Sequence, residues 1–247
     1  MPIKIVVTIA KGGTGKTVTS INLGAGLALE GFRTLVVDTD TQGQVAKILL
    51  EDPPPYGLAD LFAGGRGIHP ARDRLDILAG GSALTRITAE ITARQIGREY
   101  VLSDALDKID QDYDFVVLDT SPARDILRIN ALFYADTILA PVTLDRQSLE
   151  GLAETVRDIK DVQRFRPALN IGYILPAICD MRERISADYL SQLIKAFGPL
   201  VCDPVKRSVQ IKRSTSYCKT IWEYCPYIDA ALAYQTLVKR IINHGKN

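Results

Sequence analysis

Histidine occurs only as His69 and His244, and cysteine only as Cys179, Cys202, Cys218 and Cys225. No cysteine pair has C-x-x-C spacing and no histidine joins a cluster, so the four thiols read as buried or idle groups in a reducing compartment, a metal or disulfide site being the alternative. Charge of one sign is also missing: 30 basic residues face 29 acidic ones, for a net charge of +1. Any hold on nucleic acid must therefore come from a local patch and not from bulk charge. No stretch approaches the roughly 18 uninterrupted apolar residues of a spanning helix. Met1 to Ile5 runs straight into a strand-like segment without the charged and apolar regions of a signal peptide, which points to a cytoplasmic protein.

What is present is core-forming material, 47% hydrophobic over 247 residues, enough for one α/β domain spanning 1–247. Short apolar runs alternate with amphipathic stretches. Strand patterns cover Ile3 to Ile9, Thr34 to Val37, Leu75 to Leu78, Phe115 to Asp119, Thr137 to Val142 and Ile171 to Leu175. Helical patterns cover Val18 to Glu30, Leu58 to Phe62, Tyr100 to Ile109, Ser148 to Phe165, Ala187 to Phe197 and Tyr227 to Ile242. Such alternation predicts a mostly parallel, twisted sheet with helices on both faces, its ligand at the carboxyl ends of the strands.

The segment Lys11-Gly12-Gly13-Thr14-Gly15-Lys16-Thr17 follows the first strand and opens the first helix. Three glycines let consecutive N–H groups turn toward one anion, and the helix behind adds its positive end. Lys16 would reach the β- and γ-phosphates of a nucleotide and the Thr17 hydroxyl would hold Mg²⁺. Ala10 stands where the general pattern G-x-x-x-x-G-K-[ST] begins with glycine, and Lys11 adds a lysine with no evident phosphate of its own. The bland alternative is a glycine turn with two solvated lysines.

Two strand ends carry acids. Asp119 closes an apolar run and would hold Mg²⁺ directly or through a coordinated water, unless it merely caps the next helix. Asp38 and Asp40, one residue apart after the second strand, can both lean from one turn toward the γ-phosphate and the metal, or serve only as turn formers.

One stretch breaks the even mixture of charge. Pro204 to Lys219 holds Lys206, Arg207, Lys212, Arg213 and Lys219 without an acid. With Val205, Val209 and Ile211 as apolar anchors of a strand or loop, these cations would form a phosphate-contacting surface, which Arg182 and Arg184 would extend. DNA would be gripped there by its backbone, without sequence readout and with steep salt dependence. The alternative is a solvated basic face.

The loop K-G-G-x-G-K-T, the Asp38-Thr39-Asp40-Thr41-Gln42-Gly43 turn and the Asp119-Thr120-Ser121-Pro122 segment resemble the ParA/MinD family of P-loop ATPases, on its ParA side. Thr41 replaces the family's proline and Ser121 another. The resemblance implies a P-loop NTPase fold, ATP and Mg²⁺ as cofactors, and nucleotide contacts from Gly12 through Val18. It implies that Lys11 crosses to a partner's nucleotide in an ATP-bound homodimer, that Asp40 positions the attacking water and that Asp38 supports the Mg²⁺ shell. It also places Asp180 and Pro204 near the adenine, and the helix from Ser148 where two subunits meet. The implied function is slow, dimer-dependent ATP hydrolysis driving DNA partition on the nucleoid with a ParB-like, centromere-binding partner. A MinD-like membrane-positioning ATPase and a cargo-positioning relative are the alternatives. For the membrane reading, Leu237 to Ile242 is the only candidate grip, and the 243–247 tail lacks bulky apolar residues. A reductase like the nitrogenase iron protein would need a cysteine soon after Asp119, and none is there.

Overall fold

The computed structural model describes residues 1–52 and 54–245. Of the segments read from the sequence, Pro53 in the proline-rich connection and Lys246 and Asn247 in the tail lie outside the described residues.

The first half of the chain builds β1 (Ile3–Val7), α1 (Lys16–Leu29), β2 (Thr34–Asp38), α2 (Gln44–Leu49), α3 (Leu58–Phe62), β3 (Ile68–Arg72), β4 (Leu75–Leu78), α4 (Leu84–Thr92) and α5 (Val101–Leu106). The second half adds β5 (Phe115–Asp119), α6 (Ile126–Tyr134), β6 (Thr137–Val142), α7 (Arg146–Val162), β7 (Asn170–Pro176), α8 (Arg184–Phe197), α9 (Val209–Ser216), α10 (Ile221–Tyr224) and α11 (Asp229–His244). The strands form one sheet in the order β3-β4-β2-β5-β1-β6-β7. All neighbours pair in parallel except β3 and β4.

Successive side chains of a strand point to opposite faces, and both faces here are dry. Ile5, Val7, Val36 and Val117 join one buried cluster with residues of α1 and α11. Val6, Leu35, Val37, Val116 and Leu118 join another with α4, α5 and α6. This is why the strands read as unbroken apolar runs. Helix α1 is itself sandwiched: a Cβ on Gly24 would come within 2.5 Å of Val36 and one on Gly26 within 2.6 Å of Val238. Gly31, at φ +94°, ends that helix, its N–H bonded to the Ala28 carbonyl.

Several sequence expectations need correction. The edge strand β3 gave no strand signal, because Pro70 sits within it; at a sheet edge a proline costs no ladder bond. Helices α2, α4 and α6 were not expected, and the Tyr100 to Ile109 helix is confined to Val101–Leu106. The stretch expected as a strand or loop with Val205, Val209 and Ile211 as anchors is in part a helix, α9, capped by Ser208, whose hydroxyl accepts the Gln210 N–H. Val205 is buried, but Val209 is 66% exposed. Only Gln210 separates Val209 from Ile211, and the helical turn between them packs the half-buried Ile211 against the core while carrying Val209 to the outside.

Candidate nucleotide site

The carboxyl ends of β1, β2 and β5 converge. Register pairs Val7 with Asp119 and Asp38 with Asp119, so both carboxylates stand on adjacent strands at the same level as the start of the glycine loop. Gly13 and Gly15 take φ of +75° and +85°, values that favour glycine. Gly15 is the N-terminal cap of α1, and Lys16 is its first helical residue. The loop therefore ends at an uncompensated ring of N–H groups, the arrangement that binds anions.

Burial sets the electrostatics. Lys16 is nearly buried, its ammonium donating to the Lys11 carbonyl at 2.7 Å. Desolvation pushes its pKa down to about 8, against the pull of Asp119 and Asp40. Asp119 is fully buried, and desolvation pushes it up to about 6 while the Thr17 and Ser20 hydroxyls and Lys16 draw it back. Its Oδ1 accepts the Ser20 hydroxyl at 2.9 Å; its Oδ2 has no hydrogen-bond partner among the described residues. The Thr14 hydroxyl oxygen is buried without a partner as well. Unpaired buried oxygens are costly. A free carboxylate oxygen beside the Thr17 hydroxyl is a hard donor set that fits a small divalent cation. No cluster of three His, Cys, Asp or Glu occurs among the described residues to hold a metal unaided. Such a site suits Mg²⁺, which keeps waters and shares a ligand's phosphate oxygens.

Asp38 is occupied differently. Its Oδ1 accepts the Asp40 N–H at 2.9 Å and its Oδ2 the Val45 N–H at 3.1 Å, so it shapes the loop that carries Asp40. Burial and the Asp119 charge raise its pKa. Asp40, half-buried, accepts the Gln42 N–H, and its backbone carbonyl accepts the N–H of Gly43 and of Gly81. Gly80 is required beneath: a Cβ there would lie 2.5 Å from the Asp40 carbonyl oxygen and 2.8 Å from Asp38 Oδ1. No signal in the sequence reveals the support that Gly80 gives Asp40.

Lys11 lies at the loop's outer side. Its ammonium pairs with Asp145 at 2.7 and 2.9 Å and reaches Thr143 at 3.4 Å. Burial pushes Asp145 up, but the bonds from Lys11, Thr143 and the Ser148 N–H outweigh it and leave the carboxyl below its ordinary range. Sequence reading missed Asp145 as a site residue; the available signal was its position before a helix, since it caps α7 by accepting the Ser148 N–H. The other candidate cap behaves otherwise: Asp125, not Asp119, caps α6.

Beyond Gly15 and Val18 opens a cavity of about 1090 Å³, walled by Ala177 to Arg182, Val205 to Val209 and Tyr234 among others. Asp180 lines it, held by Arg182 through its guanidinium and N–H, which lower its pKa to about 2. Pro204 does not line it; the adjacent Val205 does, because the chain enters the wall one residue later. Ile178, at φ +57°, comes within 3.7 Å of the Cβ position of Gly15. The basic stretch is divided. Lys206, Arg207 and Lys212 also line this cavity, with Lys206 paired to Asp229 at 2.7 Å. Arg213 and Lys219 are exposed and do not line it.

A family model described as an AAA domain matches residues 3–171. The chain is 31% identical to the sporulation initiation inhibitor protein Soj of Bacillus subtilis, with 98% of each covered. It is 30% identical to the chromosome partitioning protein ParA of Caulobacter vibrioides, over 96% of this chain and 92% of that one. Among solved structures, the cobyrinic acid a,c-diamide synthase of Mycobacterium smegmatis with bound ADP and magnesium superposes with a TM-score of 0.86 at 27% identity, covering 100% of this chain and 96% of that one. The apo McdA structure from Cyanothece shares the fold, with a TM-score of 0.87 at 19% identity over 98% of this chain and 100% of that one. With the two-lysine glycine loop, the paired strand-end carboxylates and these relatives in agreement, the chain belongs to the ParA/MinD family of deviant Walker A P-loop ATPases, on its ParA side.

Proposed function

We propose that this chain, as one ATPase domain, binds ATP and Mg²⁺ at the glycine loop, pairs with a second copy over the bound nucleotide, grips DNA without reading its sequence, and segregates plasmid or chromosomal DNA with a ParB-like centromere-binding partner. The observation that carries the reading is the buried, unpaired Asp119 oxygen beside Lys16 and the loop that holds Asp40. The 30% identity to the chromosome partitioning protein ParA of Caulobacter vibrioides supports the partition role.

Phosphoryl transfer to water needs positioning and charge neutralisation more than covalent help. Lys16 and the loop N–H groups would hold the β- and γ-phosphates, with Thr17 and Asp119 holding Mg²⁺, which neutralises developing charge. Asp38 would serve mainly by fixing the turn from which Asp40 orients water. Lys11 would leave Asp145 to reach the partner's nucleotide. Exchanging one partly solvated ion pair for a phosphate contact costs little, since exposed pairs are worth about 0.2–1 kcal/mol. The cavity beyond Gly15 would take the base and ribose.

Lys206, Arg207, Lys212, Arg213 and Lys219 would supply the DNA-binding surface, with Arg213 and Lys219 the more freely disposed. The MinD-like reading has less support, because Leu237, Val238, Ile241 and Ile242 of α11 are buried in the core. Among the described residues no helix is long and apolar enough to cross a membrane. Nucleoid association in the cytoplasm follows from the DNA reading.

Light scattering and a fluorescent-duplex titration test this. With ATP the chain is expected to dimerise and bind duplex, with ADP neither, and Lys11→Ala is expected to lose both while keeping nucleotide. An ATP-loaded Lys11→Ala dimer would remove the trans lysine; absence of ATP-dependent duplex binding alongside sedimentation with liposomes would favour the membrane reading.

A further inference from the structure

Behind the glycine loop lies a buried polar cluster that none of the motifs absorbs. Arg128, on α6, is 3% exposed. Its Nε donates to Thr8 Oγ1 at 3.0 Å, one terminal nitrogen to Asp158 Oδ2 at 3.0 Å, and the other reaches Thr155 Oγ1 at 3.5 Å. Thr155, fully buried on α7, accepts the backbone N–H of Ala10 at 3.0 Å and donates to the Gly151 carbonyl at 2.8 Å. Asp158 is shared with Arg124 at the surface, which also pairs with Glu154 at 2.9 Å.

Ala10 and Lys11 open the loop, and α7 touches that opening three times. Asp145, its cap, holds the Lys11 ammonium. A Cβ on Gly151 would stand 3.1 Å from the Ala10 carbonyl oxygen and 3.2 Å from Lys11 Cβ, so helix and loop meet at backbone distance. Thr155 takes the Ala10 N–H. The Ala10 N–H is tethered because α7 supplies the acceptor, and Arg128 reaches that same hydroxyl. A buried arginine adds little net stability over apolar packing, but three bonds from one planar guanidinium tie Thr8, Asp158 and Thr155 into one arrangement.

We infer that Thr155 and Arg128 are positioning residues that lock Ala10 and Lys11 against α7, setting where the Lys11 ammonium is presented. The inference rests on Lys11 taking part in ATP turnover. The test uses the full-length chain with Thr155→Val, which keeps the shape and removes the hydroxyl, Thr155→Ser, which restores it, and Arg128→Met. Amide exchange at Ala10 without nucleotide is expected to quicken about 10-fold in Thr155→Val and Arg128→Met, as a local opening would produce. The turnover number is expected to fall about 10-fold with KM moving less than about twofold, the signature of misplacement and not of lost binding. Thr155→Ser should return both measures to the parent values. In a Lys11→Ala background, Thr155→Val should still quicken Ala10 exchange yet take nothing further from turnover. Unchanged Ala10 exchange in Thr155→Val, or a turnover loss that Thr155→Ser leaves unrepaired, would overturn the inference. If Lys11→Ala alone turned over ATP normally, the reading of Lys11 would fail while the exchange result still judged the tether. Should Arg128→Met not fold, the Thr155 pair decides.

Discussion

Lys16, Asp38 and Asp119 are each less than a tenth exposed, and Lys16, Asp38 and one oxygen of Asp119 are held by backbone or neighbouring side chains. Lys212, Arg213 and Lys219 stand in water, on and just after a helix of eight residues. In the first region low dielectric strengthens each interaction while opposing charge itself, and packing fixes the groups in place; in the second, salt screens each charge over about 8–10 Å. The first region therefore acts by the position of single groups and the second by their number. One substitution should disable the first, and only several together should disable the second.

The largest effect is expected from Lys16→Ala, which leaves the phosphates without their buried cation. Loss of about 100-fold in affinity for a fluorescent ATP analogue is the expected result, in line with a charge-assisted bond of roughly 3 kcal/mol; retention of parental affinity would break the contrast at its strongest point. Asp40→Ala should come next, with turnover down about 100-fold as for a lost water-orienting group, and nucleotide still bound. Normal phosphate release by that variant would shift the water-positioning role elsewhere.

The pH dependence of nucleotide binding sharpens the same contrast. Protonated Asp119 cannot ligate a cation, so Mg²⁺-dependent affinity should fall as pH drops below about 6. Neutral Lys16 cannot balance phosphate charge, so affinity should fall as pH rises above about 8. Titration calorimetry should then show a maximum between these values, declining up to about 10-fold per pH unit outside them, since one unit corresponds to about 1.4 kcal/mol. A flat profile would mean that the buried pair is not what holds the ligand. The smallest effect belongs to the surface: Lys212→Ala with Arg213→Ala should weaken duplex binding about 10-fold and lower its salt dependence by up to two phosphate contacts. ATP turnover without DNA is the control, though Lys212 also faces the cavity; Arg213→Ala with Lys219→Ala repeats the test away from it.

The two regions also differ in how far they could be read before the fold was known. The glycine loop and Asp119 were legible because each is a short contiguous pattern flanked by an apolar strand, and burial on both faces of the sheet makes those strands unmistakable. Pairings between distant positions left no such trace. Lys11 with Asp145, Gly80 beneath Asp40 and Thr155 on Ala10 join residues 134, 40 and 145 positions apart, and each depends on crossover geometry. The basic stretch was legible as composition but not as shape: α9 has too few apolar residues to announce a helix, and its cavity-facing cations look like its outward ones until the wall is built.

The sheet is closed to outgrowth at its first strand. β3 runs against its neighbour, carries Pro70 with no N–H to offer, and slips register between Pro70 and Arg72. At the far flank, the residue 201 segment bridges β7 at Ile174. A further copy adding strand by strand would find a blunted rim at one side and an occupied one at the other. If copies gather in rows along a polymer, the rows must be joined through loops and helices, and so can come apart without any ladder of backbone bonds being torn.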